Sequence, residues 1–266
     1  MPGTVDRADA RAVWRYLPRA VNADVPVWLR DALVAGSAAD GKLVLKGNLK
    51  DFPFRDPATG KFLVTGQAKD AKVHYADGWP AIEGISADMS FDYGMRIKAH
   101  GGRILGAELS NVTVQIPEFD VLDEMLLVRG AALGSTATFL DFIERSPVGA
   151  SIDHFTRDMR AKGDGRLDLG LDIPLRDVMK TRVRGDYRFI NNEVLVLDAL
   201  PPIVRVGPDQ VQHEEVLLLR IALDPLPVHD PAGRVALDAQ VFEVEVRLLA
   251  VGAVQKVPVV NKEGQI

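Results

Sequence analysis

The sequence predicts a mainly β fold: an extended, twisted antiparallel sheet that forms an open groove, with short helices near the N-terminus and around residues 135–162. Apolar and polar residues alternate along many segments, which is typical of strands with one apolar and one polar face. Glycine-rich turns separate these segments. The chain is 47% hydrophobic but only 6% aromatic, with 23 glycines and 16 prolines, which favours a folded β-rich chain over disorder.

The alternation is clearest over residues 86–116 and predicts the register of a hairpin. A loop at residues 93–95 would place Phe91 opposite Ile97 and keep each face uniform. A shorter turn would mix apolar and polar residues on both faces, because a one-residue slip exchanges the faces. The glycine pair at residues 101–102 predicts the turn that follows.

Helical segments are predicted at two places. Residues 1–36 are expected to form helices, the second of which begins at Asp24 and ends at Gly36. A change to helical spacing predicts helices over residues 134–147 and 151–163. Strand alternation then resumes, and Asn191 with Asn192 predicts a type I′ turn.

These patterns divide the chain into three parts. Residues 1–39 are an N-terminal helical segment, residues 40–206 a β-groove segment and residues 207–266 a divergent C-terminal tail. The first strand-like run of the groove segment starts beyond the Asp40-Gly41 pair. In the tail, two strand-like runs are separated by a proline-rich stretch.

The apolar face of the predicted sheet is the candidate functional surface. A large exposed apolar surface usually marks a binding site. Removing one methylene group from water is worth ~0.8 kcal/mol, so such a face could carry acyl chains without any catalytic group. The candidate lining residues are Phe62, Val64, Met89, Phe91, Ile97, Leu167, Leu169, Leu171, Tyr187 and Phe189. The alternative is a structural or assembly module with a closed hydrophobic core, in which the helices and the tail cover the apolar face.

Catalysis and nucleic-acid binding are not expected. The chain has a net charge of −5 and no basic run, which argues against a nucleic-acid partner. It has 0 cysteines, and none of its 5 histidines stands at metal-ligand spacing from another. No nucleophile elbow, phosphate-binding loop or dinucleotide motif is present. The sequence therefore predicts no catalytic residue, no metal and no cofactor.

A series of short segments resembles consecutive landmarks of one family, the YhdP proteins, which are AsmA-like proteins of the Gram-negative envelope. The order and spacing agree from about residue 24 to residue 206. The segments are WLRDALVAG (28–36), KGNLKDFPF (46–54), GWP (78–80), GRILGAEL (102–109), FLDFIERSP (139–147), GDGRLDLGLDIPLRD (163–177), VRGDYRF (183–189) and LPP (200–202).

The resemblance implies a function as well as a fold. It implies a long β-groove that carries phospholipid between the inner and outer membranes and supports the outer-membrane barrier. The implied partners are phospholipid acyl chains and, through the full-length protein, both membranes. The implied location is the periplasm, with a tether to the inner membrane that this chain lacks. The chain is accordingly expected to be an internal or truncated piece, and its tail does not follow the family pattern.

Overall fold

The alternating segments form antiparallel strands, and the fold is mainly β with few short helices, as the sequence predicts. A computed structural model describes residues 2–17, 24–119, 121–195, 204–205, 216–225, 240–250 and 253–256, with side chains over 7–17, 24–119 and 121–195. The chain divides into two units, residues 1–128 and 129–266.

The first unit is a sheet of six consecutive strands, each antiparallel to the next. Its strands are β1 (Pro2–Asp9), β2 (Leu33–Gly47), β3 (Gly60–Val73), β4 (Ile82–Phe91), β5 (Met95–Ile104) and β6 (Ala107–Ile116). A 3₁₀ helix (Ala10–Tyr16) and α1 (Asp24–Ala32) follow β1, and a 3₁₀ turn (Leu49–Asp51) follows β2.

From β7 onward the strand order is β7-β8-β9-β11-β12-β13, with β10 paired to β9; most of β7 and all of the later strands belong to the second unit. The strand β7 (Met125–Ser135) leads into α2 (Thr136–Glu144) and α3 (Pro147–Ser151). The later elements are β8 (Arg160–Pro174), a 3₁₀ turn (Val178–Lys180), β9 (Arg182–Leu195), β10 (Val204–Arg205), β11 (Val216–Pro225), β12 (Gln240–Ala250) and β13 (Ala253–Lys256).

The described part of the tail adds strands to the sheet beside β9. The backbone of β11 pairs antiparallel with β9, with Leu219 opposite Tyr187 and Leu223 opposite Val183. In turn β12 pairs with β11 along its whole length. The sequence reasoning set this tail apart as divergent; its backbone nevertheless continues the sheet, and the boundary at residue 206 stays a prediction.

The N-terminal prediction of helix is correct in part. Residues 10–16 and 24–32 are helical, and the Asp9 carboxylate caps the first of these by accepting from the Arg11 backbone N–H. Residues 2–9 are a strand instead, and residues 33–36 belong to β2. Residues 2–9 pair with residues 37–44 of β2, and local sequence patterns do not include a contact of this separation.

The hairpin of β4 and β5 keeps its predicted faces, but its register is wrong by two residues. Phe91 lies opposite Met95, and Met89 lies opposite Ile97. Asp92 belongs to the turn and does not pair with Arg96, because its carboxylate accepts the backbone N–H of Gly94 at 2.9 Å. A shift of two residues preserves the faces, since side chains alternate with period two.

The following turn also lies elsewhere than predicted. Gly101 and Gly102 are inside β5, and the chain reverses at Leu105 and Gly106. Both of these turn residues have positive φ, 50° and 94°. Two consecutive residues of positive φ suit the twist of a two-residue hairpin turn, so the turn forms there even though leucine rarely adopts this conformation.

We expect Gly94→Ala to destabilise the first unit, because a Cβ at this position would overlap the backbone carbonyl oxygens of Ile116 and Pro117. The loss should be about 1–3 kcal/mol in the free energy of unfolding. Gly101→Ala is the matched control, since a Cβ there has no neighbour within 4 Å. Urea unfolding followed by tryptophan fluorescence measures both, because all 3 tryptophans lie in the first unit. Equal stability of the two variants would contradict this account of Gly94.

Candidate functional site

Apolar residues of the first unit are stacked in rows that run across its strands. Directly opposed residues share a face of the sheet, so the register of β2 to β6 joins the apolar positions of successive strands. The outer row is Leu43, Val64, Phe91, Met95 and Ile116. The next row is Gly66, Met89, Ile97 and Val114. The third is Ala38, Ala68, Ala87, Ala99 and Val112.

The opposite face of the same strands carries polar rows. One of them consists of Lys42, Thr65, Ser90, Arg96 and Gln115. Asp88 accepts a hydrogen bond from Gln67 and lies 2.7 Å from His100 Nε2. The contact with His100, together with that to Gln67, holds the pKa of Asp88 below its usual value. Because both members of the Asp88–His100 pair are more than half exposed, this is the face that water contacts.

Side chains on the apolar face are only half-buried. Phe62, Val64, Met89, Phe91 and Ile97, all predicted as lining residues, fall in this intermediate class. The fully buried apolar residues of the unit are mainly alanines, with Phe54 and Ile116 as the large exceptions. Large apolar residues on a face covered by a second layer are typically fully buried. Among the described residues, this apolar face is therefore partly open.

Aromatic residues edge the face at one end of the strands. Phe54 is 4% exposed and lies against Gly47 and Gly60, where side chains would overlap its ring. The Phe52 ring packs edge-on against the rings of Phe54 and Phe62, with centroids 5.9 and 5.2 Å apart. This cluster fixes the position of Phe62, the lining candidate nearest the β2–β3 loop.

A second aromatic group lies at the other end of these strands. The Trp28 indole N–H of α1 donates to the backbone carbonyl oxygen of Tyr75 at 3.1 Å. The rings of Tyr75 and Trp79 are 6.1 Å apart, and burial raises the pKa of Tyr75 to about 12. The loop after β3 is thereby attached to α1.

The second unit has an apolar face of its own. The register of β8 and β9 pairs Leu171 with Val183, Leu169 with Gly185 and Leu167 with Tyr187. Gly165 lies opposite Phe189 in the adjacent position. The five lining candidates of this unit are therefore on one face, with Arg166, Asp168, Asp186 and Arg188 on the other.

One end of that face is covered by α2. Tyr187 is 6% exposed, and the Phe139 ring of α2 packs edge-on against it at 5.0 Å. The Tyr187 hydroxyl donates to Thr136 Oγ1 at 2.8 Å, and the Thr136 hydroxyl donates to Asn192 Oδ1 at 2.5 Å. Burial raises the pKa of Tyr187 to about 12, so its phenol is neutral at physiological pH. Leu167, Leu169, Leu171 and Phe189 are half-buried.

Asn192 is part of a bulge and not of the predicted turn. It lies inside β9, is 1% exposed, and donates from Nδ2 to the carbonyl oxygens of Asp164 and Ile190. Asn191 and Gly163 have positive φ, 51° and 97°, at the register shift between β8 and β9. The extra residue turns the Asn192 amide toward Thr136.

The segment after α2 is held by Glu144. Its carboxylate accepts from the Thr156 hydroxyl at 2.6 Å and lies 2.8 Å from His154 Nδ1, and these contacts lower its pKa. The predicted helix over residues 151–163 is wrong: α3 ends at Ser151, turns follow, and β8 begins at Arg160. His154, with φ of 55°, leaves the helical conformation and reaches back to Glu144.

Two other kinds of feature, a membrane-spanning helix and a cluster of metal ligands, are absent from the described residues. None of their helices is both long and apolar enough to cross a membrane. Over the same residues, no three histidine, aspartate or glutamate side chains are grouped as metal ligands.

The comparisons with known proteins agree with the family resemblance. A family model described as YhdP protein matches residues 1–206, which is more than half of the chain. The chain belongs to the YhdP family. A relative named "Intermembrane phospholipid transporter YhdP", from Escherichia coli (strain K12), is 27% identical over 190 residues. That match covers 71% of this chain but only 15% of the relative. No solved structure matches the chain.

Sequence reasoning missed several residues of this YhdP-family surface. Met95 was assigned to a loop, so its place in the outer row was not recognised. The alternation places Ala68 and Ala99 on the apolar face, but these alanines were not included among the lining candidates. The contact of Phe139 with Tyr187 joins residues far apart in sequence, and only the predicted helical spacing of α2 indicated that its apolar side needed a partner.

We expect Thr136→Val to destabilise the second unit by roughly 1–3 kcal/mol in the free energy of unfolding. The substitution removes the hydroxyl that accepts from Tyr187 and donates to the side-chain Oδ1 of Asn192, and it leaves both of these groups buried without that partner. Thr136→Ser keeps the hydroxyl and is the control. Hydrogen exchange of α2 peptides, followed by mass spectrometry, measures the local effect. If the serine variant loses as much protection as the valine variant, the hydrogen bonds do not hold α2.

Proposed function

We propose that this chain carries phospholipid acyl chains along the apolar faces of its sheets, as a segment of a longer envelope protein that moves phospholipid between the inner and outer membranes. The observation that carries the proposal is the set of apolar rows in register across β2 to β6, in which Met89, Phe91 and Ile97 are half-buried. The name of the Escherichia coli relative supports the choice of phospholipid as cargo.

The rows suit transport because they repeat with the strands. Neighbouring strands lie about 4.8 Å apart, so a chain lying along a row meets a similar apolar surface at every step. Holding an acyl chain of about sixteen carbons in water costs on the order of 12 kcal/mol, and apolar contact offsets most of this cost. A cargo that moves between equivalent positions encounters no deep minimum, and the step needs no catalytic group.

The row of alanines gives the face a low strip beside higher ones. Ala68, Ala87 and Ala99 follow one another across β3, β4 and β5, next to the row that contains Met89 and Ile97. A methyl group projects less than a methionine or isoleucine side chain, so the surface is lower along the alanines. In this proposal the acyl chain lies along that strip, against the larger side chains.

Partial exposure favours a carrier over the alternative structural module. A module with a closed core requires a covering layer, under which Met89, Phe91 and Ile97 would be fully buried. All three are half-buried. We propose that the cargo surface is drawn from the ten predicted lining residues, with the exception of Tyr187, which α2 covers. We propose a non-enzymatic role, located in the periplasm.

The function is tested by adding one charge to either face of the same strand. Val114 is a half-buried member of an apolar row, whereas its neighbour Thr113 is exposed on the polar face. We expect Val114→Glu to reduce co-purifying phospholipid several-fold while the domain stays folded, because a carboxylate beside the acyl chain must be desolvated. Thr113→Glu changes the charge equally and should leave the lipid content unchanged. Mass spectrometry of lipid extracts and circular dichroism measure the two quantities.

Three results of that experiment would count against the proposal. One is that the parent protein carries no more phospholipid than an unrelated protein purified in parallel. Another is that Val114→Glu unfolds the domain and Thr113→Glu does not, which would indicate a covered core. The third is equal lipid content in both folded variants, which would place any lipid away from this face.

A further inference from the structure

Four residues bridge one end of the second unit's apolar face: Thr136 and Phe139 from α2, and Tyr187 and Asn192 from β9. We call these four residues the crossbar. Of the lining candidates of this unit, only Tyr187 belongs to it. The proposed function treats the lining residues alike, whereas the crossbar separates them into two groups.

The crossbar begins with the ring of Tyr187, which lies across β8. A Cβ at Gly165 would overlap the Tyr187 hydroxyl, so a glycine at that position lets the ring lie flat over the strand. Phe189 packs edge-on against the same ring at 4.8 Å. The row formed by Gly165 and Phe189 is therefore occupied by a protein side chain.

Hydrogen bonds attach α2 above this ring in one position. Thr136 and Asn192 are 4% and 1% exposed, and each has a hydrogen-bond partner in the crossbar. Apolar contact alone permits sliding, whereas a buried polar group needs its partner at a fixed distance. The bulge at Asn191 supplies this partner, since it turns the Asn192 amide onto the apolar side of β9.

The rest of the face lies to one side of the crossbar. Leu169 with Gly185, and Leu171 with Val183, form the two rows beyond Leu167 and Tyr187. The side chains of Leu169, Leu171 and Val183 are half-buried. Leu167 and Phe189 are half-buried too, so the position of the Tyr187 ring over Gly165, and not burial, separates the strip from the rest of the face. A moving acyl chain would meet a free apolar surface there and a fixed obstruction at Tyr187.

We infer that the crossbar is a constriction, which confines acyl chains in the second unit to the strip of Leu169, Leu171 and Val183. The inference depends on the proposed function and adds a residue-level path to it. Tyr187 is a positioning residue in this scheme: it limits the width of the strip and does not contact cargo. Phe189, behind the crossbar, is likewise excluded from contact.

Site-specific photocrosslinking tests the path in the 266-residue chain. Leu171→p-benzoylphenylalanine places the photoprobe on the strip, Phe189→p-benzoylphenylalanine places it behind the crossbar, and Ile97→p-benzoylphenylalanine places it on the first unit's face. Each variant is irradiated with fluorescent phosphatidylethanolamine in phosphatidylglycerol vesicles. The measured quantity is the amount of fluorescent lipid crosslinked to each variant. We expect this amount to be at least five-fold higher at positions 97 and 171 than at position 189.

Combining the probe at position 189 with Thr136→Val tests the crossbar itself. Loss of the Thr136 hydroxyl should loosen α2 and raise labelling at position 189 toward that at position 171, whereas Thr136→Ser should not. Hydrogen exchange of α2 peptides reports whether the helix has loosened.

Each outcome decides between the inference and the function on which it depends. The constriction is overturned if the probes at positions 171 and 189 are labelled equally, or if the probe at 97 is labelled and the probe at 171 is not. Either result leaves the proposed function standing. Unchanged labelling at 189 when α2 has loosened also overturns the constriction. Labelling at none of the three positions overturns the proposed function, and the constriction with it.

Discussion

Cross-strand register is the constraint on which this structure depends. Alternation places the apolar residues of one strand on one face, but only pairing in register turns five separate strands into continuous rows. A slip of one residue at any hairpin would move a whole strand's apolar set to the polar face. The turn at Asp92 and Gly94 is therefore as important to the surface as Met89 or Ile97, although neither turn residue lies on it.

Bulges maintain the rows where simple alternation would break them. In β2, Ala38 and Leu43 both contribute to apolar rows although an odd number of positions separates them. The register shift between Ala39 and Lys42, where Asp40 has φ of 53°, makes this possible. In the second unit a bulge has the opposite effect. The bulge at Asn191 places the polar side chain of Asn192 on an otherwise apolar face. Polar atoms there need partners, and Thr136 provides one.

The sequence was sufficient to predict most of the strands, their faces and the helix that became α2. It was not sufficient for the turns. Pairs of glycines or asparagines allow the chain to reverse direction in a turn, yet Gly101-Gly102 and Asn191-Asn192 both lie inside strands. Pairing with neighbouring strands satisfied their backbone groups better than a local turn did. Residues 2–9, part of the segment 1–36 that was expected to be helical, form a strand because they pair with β2.

By itself, the sequence determined the mainly β class, the two chemically different faces of the strands and membership of the YhdP family, because each depends on local periodicity or on the order of short motifs. Only the tertiary structure decided which apolar residues share a row and which of them α2 covers. Tyr187 illustrates the difference. It is on the same apolar face as Leu167, but it is buried under α2 and hydrogen-bonded there to Thr136, 51 positions away in sequence. No local pattern records a contact of that separation.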